Sequence, residues 1–335
     1  MTYGFADVGR AGLANMLLPW ARCEVFCRKH GLRMLAPQWT QPKIGPLLRG
    51  EKDKRYYFGL FKNNGYVSGP RRWWLLATSA RVGEANSVSA AGQSLDSNET
   101  GLQDHSTTVV VFDGLGHYFA DLAGQEDFLH GRLKQIQSER CAERLEKVSG
   151  RDAFHRVPDF LKDGDAVERV PARAASPAGM PAISGQFIAV HIRRGDKPPL
   201  APGAEPPRDS MHWAIPTEWY VRCVSQVKSA LGNDVPAVVF TDADASQIAP
   251  VLNLPGVRRA EPNPAIVDLL LMAQARVLIT TASSTFSMWP SFLGRMPSVW
   301  FPACWREQTN FSTPEFECCT DLEGNLPQSF LGGRR

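Results

Sequence analysis

The chain has 335 residues, 43% hydrophobic and 21% charged, with a formal net charge of +3. That length suits two domains of ordinary size, and the balance describes a globular, soluble chain. So small a charge, without a basic run or an aromatic-basic ladder, excludes nucleic acid as the expected partner, and no apolar run approaches the ~20 residues of a membrane span. The segment from Met1 to Asp7 lacks a basic stretch and an apolar core, so no signal peptide is expected. Seven cysteines without a Cys-x-x-Cys pair favour free thiols in a reducing compartment.

Leu13, Met16, Trp20, Cys23 and Cys27 recur at helical spacing, and Gly31 supplies a C-cap. Gly9-Arg10-Ala11-Gly12-Leu13-Ala14-Asn15 precedes this helix, an arrangement that can present backbone N–H groups to an anion. Pro19 predicts a later helix start or a kink. Residues 34–39 are expected as a second strand, and 56–61 with 65–68 as a hairpin around an Asn-rich turn. Trp73 and Trp74 beside Arg71 and Arg72 fit a satellite of the core better than a sugar-accepting surface. Residues 79–107 are dominated by Ser, Ala, Asn and Gly, which predicts a mobile insertion. Residues 108–112 read as a strand and 127–148 as one helix. The expected division is an N-terminal domain over 1–165, a linker over 166–185 rich in Ala, Pro, Gly and Ser, and a C-terminal domain over 186–335.

The second half opens on an apolar strand at 187–192 that ends in His191, Arg193, Arg194, Gly195 and Asp196. A bare Arg-Arg pair more often sits in surface salt bridges. The apolar run before it favours an anion site, because ligands of open α/β sheets bind beyond the carboxyl ends of strands. Alternation along a strand lets only one of the two arginines face the cleft. Thr217 is a candidate cap for a helix that Gly232 ends, and strands follow at 236–240, 276–280 and 297–301. Helices are expected around Ile266–Ala273 and after Ser283-Ser284-Thr285-Phe286. Strand alternating with helix describes an open parallel sheet. Three polar clusters thus end strands of one sheet: His191/Arg193/Arg194, Asp242/Asp244 and Ser283/Ser284/Thr285. Arginines and a hydroxyl-rich helix start suit a diphosphate. No phosphate-binding Gly-x-x-x-x-Gly-Lys-Ser/Thr loop is present.

His191-Ile192-Arg193-Arg194-Gly195-Asp196 resembles the His-x-Arg-Arg-x-Asp motif of the α1,2-fucosyltransferases and their α1,6- and protein O-fucosyltransferase relatives. Asp268-Leu269-Leu270-Leu271-Met272 and Ser284-Thr285-Phe286-Ser287-Met288-Trp289 are similar to that family's later motif, and Gly12-Leu13-Ala14-Asn15 to its N-terminal segment. The matches keep the family's order over roughly 12–294, with departures at Ala14, Met16, Ser283 and Met288. The resemblance implies an α/β, GT-B-like fold of two Rossmann-like domains facing a cleft, with the donor in the C-terminal one and the acceptor on the N-terminal side. It implies inverting, metal-independent transfer of fucose from GDP-fucose to a glycan hydroxyl. It assigns Arg193 to the β-phosphate, Ser284 and Thr285 to the diphosphate, Asn15 to the opposite wall, and His191 to the nucleotide. The expected donor site comprises His191, Arg193, Arg194, Asp242, Ser283, Ser284, Thr285 and Phe286, with Arg193, Asp196 and Asn15 as the catalytic set. Expected partners are a nucleotide-sugar donor and a glycan acceptor, in the cytoplasm with peripheral membrane association.

Asp7, Asp196 and Glu205 are the candidates for a catalytic base, although Asp196 fits a pair with an arginine of its own motif better. Asp242-Ala243-Asp244 has the form of a metal-binding pair, but two carboxylates are sparse for a metal and the arginines already supply charge. A different nucleotide sugar, a protein acceptor, and a non-catalytic sugar-nucleotide-binding protein are the competing readings.

Overall fold

The computed structural model describes residues 1–9, 11–40, 57–86, 107–149, 186–195, 197–198, 200, 213–281, 284–302 and 317–332. Two parallel sheets organise them. The first has the order β2-β1-β4-β3, from β1 (Thr2–Ala6), β2 (Arg33–Leu35), β3 (Ala80–Gly83) and β4 (Thr108–Phe112). The second has the order β10-β9-β8-β5-β6-β7. Its strands are β5 (Ile188–Ile192), β6 (Ala237–Thr241), β7 (Val257–Arg259), β8 (Val277–Ile279), β9 (Ser298–Trp300) and β10 (Glu317–Cys319).

In the second sheet the chain runs outward from β5 through β6 to β7, then returns to β8 and runs outward through β9 to β10. This is the doubly wound order of a dinucleotide-binding fold, with its reversal between β5 and β8. β5 is buried along its whole length and paired on both sides, which is why its sequence reads as a continuous apolar run. In the first sheet the chain runs from β1 out to β2, crosses to β3 at the opposite edge and comes back inward to β4 beside β1. Two Rossmann-like units facing a cleft make the architecture GT-B-like, as expected from the sequence.

Helix α1 (Leu13–His30) packs on β1 and ends at Gly31 in the left-handed region. Pro19 lies inside it, so the Asn15 carbonyl lacks its usual donor, yet the helix continues. Its buried set, including Leu17, Trp20 and Cys23, offsets the ~3 kcal/mol an interior proline costs. Helix α2 (Gly69–Thr78) covers the other face of the first sheet with Leu75 alone among its apolar side chains fully buried. Trp73 and Trp74 are each 61% exposed, so the core-satellite expectation fails. Arg72 lies beneath them, donating to the Ala36 carbonyl at 2.6 Å with its guanidinium 4.6 Å from the Trp73 ring centroid.

Four other expectations change. The hairpin is absent: Phe61 bridges to Gln137 and Val67 to Leu35, so the two segments pair elsewhere. The single helix over 127–148 divides into α3 (Glu126–Ile136) and α4 (Glu139–Ser149). Lys62 N–H takes the Ile136 carbonyl, Ser138 N–H takes the Leu60 carbonyl, and Ser138 Oγ accepts the Cys141 N–H as a cap. The 79–107 stretch contributes β3, which pairs with β4 along the sheet edge; residues 87–106 lie outside the described residues. Strand β2 ends at Leu35, short of residue 39. Strands β7 and β10 were not anticipated. The linker at 166–185 also lies outside the described residues.

Helices α5 (Thr217–Leu231), α6 (Ala265–Met272) and α7 (Thr285–Gly294) flank the second sheet. Thr217 is the first helical residue of α5, with Pro216 at the cap. The two units share one continuous core: the Phe119 ring lies 4.9 Å from Trp289 and 5.0 Å from Phe292. Trp289 Nε1 donates to the Ala14 carbonyl at 2.8 Å, joining α7 to α1. The six cysteines among the described residues are all free thiols. No helix among those residues is long and apolar enough to cross a membrane.

Candidate functional site

A cleft of about 910 Å³ opens beyond the carboxyl ends of both sheets. Its first wall is Gly12–Asn15 with Tyr57, Phe58 and Leu60; its second includes His191, Arg193, Arg194, Asp242, Asp244, Thr285 and Phe286. The starts of α1 and α7 both reach it, so unsatisfied backbone N–H groups and two helix dipoles favour negative charge there. Thr285 Oγ1 donates to Asn15 Oδ1 at 2.6 Å, a contact between segments 270 residues apart in sequence. The N-terminal motif and the Ser-Thr motif therefore meet across the cleft.

His191, the penultimate residue of β5, is buried, its Nδ1 2.7 Å from Ser287 Oγ, which accepts the Thr281 N–H at 3.2 Å. Burial pushes the imidazole down to about 4; Asp242 opposes this and Arg193 and Lys197 reinforce it. His191 is thus neutral at pH 7, a rigid wall whose ring lies 5.3 Å from Phe286. The expectation that strand alternation lets only one arginine face the cleft fails, because β5 ends at Ile192 and both arginines lie in the turn beyond it. Both line the cleft, but Arg194 extends to α5, where its guanidinium donates to Thr217 Oγ1 at 2.7 Å.

Asp242 Oδ1 accepts the Arg194 backbone N–H at 2.7 Å. A Cβ at Gly195 would lie 2.7 Å from Asp242 Oδ2, so the carboxylate can approach this turn only because residue 195 is glycine. Asp242, expected on the nucleotide, thus has one oxygen committed to shaping the turn after β5. Asp244 caps the short turn Ala245–Ile248 in a reciprocal box with Gln247. No group of three or more His, Cys, Asp or Glu side chains among the described residues is arranged to hold a metal.

Ser284 sits at the N-cap of α7, 5% exposed, with its Oγ lacking a hydrogen-bond partner among the described residues. A buried hydroxyl without a partner at a helix start is suited to a ligand oxygen. Asp196 and Ser283 lie outside the described residues, as does Glu205. Asp7 is exposed and accepts the Gly9 N–H at 3.3 Å.

Several residues of the cleft were not anticipated. Tyr57, at φ 53°, accepts the Leu13 N–H on its hydroxyl at 2.8 Å, satisfying a donor at the start of α1. Asp268 lines the cleft from the first turn of α6, and burial raises its carboxyl to about 7, against the lowering effects of Asn263 and Arg144. Asn263 Nδ2 donates to Asp268 Oδ1 at 2.9 Å. A signal for Asp268 existed: it is the lone charge in the apolar run Ala265-Ile266-Val267-Asp268-Leu269-Leu270.

A doubly wound sheet with two arginines and a helix start at its reversal, facing a second α/β unit across a cleft, defines the architectural class. No protein-family model matches the chain, and no curated protein matches it. Among solved structures the chain is similar to the fucosyltransferase NodZ from Bradyrhizobium, at 14% identity and a TM-score of 0.47 over 89% of this chain and 94% of that one. It is also similar to the NodZ alpha-1,6-fucosyltransferase soaked with GDP-fucose, at 13% identity and a TM-score of 0.45 over 92% and 97%. POFUT1 in its apo-form matches at 11% identity and a TM-score of 0.47 over 88% and 96%.

Proposed function

We propose that the chain is an inverting, metal-independent glycosyltransferase that moves fucose from GDP-fucose to a hydroxyl of a glycan acceptor, in α1,2 linkage. The observation that carries this is the contact of Thr285 with Asn15 across the cleft. It assembles three sequence motifs, otherwise far apart, around Arg193 at the reversal of a doubly wound sheet. The family resemblance of those motifs supplies the donor.

In this reading the acceptor oxygen attacks the anomeric carbon from the side opposite the nucleotide. The carbon–oxygen bond to the β-phosphate breaks, and GDP departs with the electron pair. Arg193, the buried Ser284 hydroxyl and the N–H groups opening α7 meet the negative charge that develops on the leaving group. Asn15, held by Thr285, orients the donor from the opposite wall. Neutral His191 and Phe286 close the nucleotide side without adding charge. The acceptor proton leaves to Asp196 or to solvent. Asp242 and Asp244 hold the local backbone, which supports charge neutralisation by Arg193 rather than by a metal.

Asp268 supports guanine as the base. A carboxylate that is costly to ionise when empty is satisfied by a ligand offering two adjacent donors. The N1–H and N2–H₂ edge of guanine offers them, whereas uracil and adenine present mixed edges. Thermal shift against nucleotide diphosphates tests the donor: GDP should raise Tm more than UDP or ADP at equal concentration. A larger shift with UDP would remove the fucosyl reading. Activity should persist in excess EDTA; its abolition and rescue by Mn²⁺ would make Asp242 and Asp244 ligands. Product analysis decides the linkage, with an α1,6-linked glycan or a fucosylated protein replacing the α1,2 assignment.

A further inference from the structure

Arg144 lies on α4, in the half built on the first sheet, yet its side chain ends on the cleft wall of the second. Its Nε donates to Asn263 Oδ1 at 2.6 Å, and its NH2 donates to Glu261 Oε2 at 2.6 Å. A side-chain amide has one accepting and one donating end. With Oδ1 taken by the guanidinium, Nδ2 must turn to Asp268, where it donates to Oδ1 at 2.9 Å. The carboxylate is thereby fixed in rotation, with one acceptor site of Oδ1 used and both oxygens still able to accept from a cleft ligand.

We propose that Arg144 and Asn263 are positioning residues that hold the Asp268 carboxylate for base recognition, so that nucleotide selection depends on a contact between the two halves. This rests on the reading of Asp268 as the guanine partner. Without Arg144 the Asn263 amide can rotate and present its oxygen to the carboxylate, which repels it. Without either group Asp268 loses an interaction that favours its ionised form, and burial then keeps it protonated to higher pH. A protonated acid carries a hydroxyl on one oxygen and so no longer meets two adjacent donors with two acceptor oxygens.

The surrounding charges leave this arrangement intact. Lys147 of α4 acts on Glu261, which also faces Arg258, while Arg259 donates to the Ala243 carbonyl at 2.8 Å. Helix α7, packed against α6, has no ionisable side chain from Thr285 to Gly294.

The test is isothermal titration of GDP and IDP over pH 6–8 for the native chain, Asn263→Ala, Arg144→Ala and Asp268→Asn. IDP lacks the 2-amino group and so offers one donor fewer. The native chain should prefer GDP by roughly tenfold at pH 8, with the preference fading as pH falls through the Asp268 range. Asn263→Ala and Arg144→Ala should each shrink the GDP-to-IDP ratio at pH 7 and move its pH midpoint up by roughly half to one unit. General destabilisation moves neither readout. Asn263→Asp, which keeps a partner for Arg144 but sets a carboxylate against Asp268, should shift the midpoint furthest and serves where an alanine variant does not fold. If the Asn263 and Arg144 variants keep the native ratio and midpoint while Asp268→Asn abolishes both, the positioning role is wrong and the base assignment stands. If Asp268→Asn itself leaves ratio and midpoint unchanged, the base assignment fails and the positioning role falls with it.

Discussion

The two halves meet one cleft with unlike chemistry. The second sheet brings fixed charge and enclosed polar groups to its reversal: Arg193, neutral His191 and the unpartnered Ser284 hydroxyl. The first brings neutral hydrogen-bonding groups, Asn15 and the helix start of α1 tied down by Tyr57. Fixed cations in a low-dielectric site act on charge developing in a reaction, whereas neutral amides and hydroxyls orient. Under the proposed reaction, the donor's leaving group would belong to the second half and alignment of the reactants to the first.

The largest expected effect tests the charged side. Lysine keeps charge but loses the guanidinium fork, so Arg193→Lys should lower kcat/KM by about 100-fold or more with the fold intact. Arg194→Lys should retain most turnover but lose about 1–2 kcal/mol of stability, because it gives up the bond to Thr217 that ties β5 to α5. Steady-state kinetics and urea unfolding separate the two. A folded, inactive Arg194→Lys beside an active Arg193→Lys would reverse the assignment.

A smaller effect tests the neutral side. Asn15→Ala and Thr285→Val should each cost roughly tenfold in kcat/KM, and the double variant little more than either single one, since both remove the same contact. Full additivity would mean that the pair does not work as a unit and would undo the alignment role.

The smallest effect is the pH dependence of stability. His191 is depressed from 6.5 to about 4 in the fold, so its contribution is complete above pH 6.5 and is lost as pH falls toward 4. Asp268 is raised from 3.8 to about 7, so its contribution is complete below pH 4 and is lost as pH rises toward 7. The two slopes oppose each other across the same window, and the native chain should show little net change from this pair. Urea unfolding from pH 4 to 8 should reveal a stability rise with pH in Asp268→Asn and a fall in His191→Gln. Parallel curves for the native chain and both variants would show that neither group is enclosed as described.

The second sheet was far more legible than the first. β5, with its apolar run ending abruptly in His191 and two arginines, declared a buried strand that delivers polar groups to the cleft, because a strand buried on both faces can hold polar groups only at its end. The hairpin over 56–68 failed because its apolar residues pair with Gln137 and Leu35, partners that local patterning cannot identify. The break between α3 and α4 was hidden for the same reason: backbone groups from 60–62 take the hydrogen bonds at 136–138.

The sequence by itself determined the parallel α/β class, the free thiols among the described cysteines, the arginine turn and the Ser-Thr helix start, since each rests on periodicity or on neighbours within a few residues. Only the tertiary structure decided the rest. It showed which arginine runs to Thr217, that Asp242 shapes the turn at Gly195, and that Arg144 crosses between the halves to Asn263 and, through it, to Asp268. Apart from the five-residue step from Asn263 to Asp268, those outcomes depend on contacts spanning 23 to 119 residues of chain, or on burial that raises a carboxyl. Burial and long-range pairing exist only once the sheets have assembled, and no local pattern in the chain encodes them.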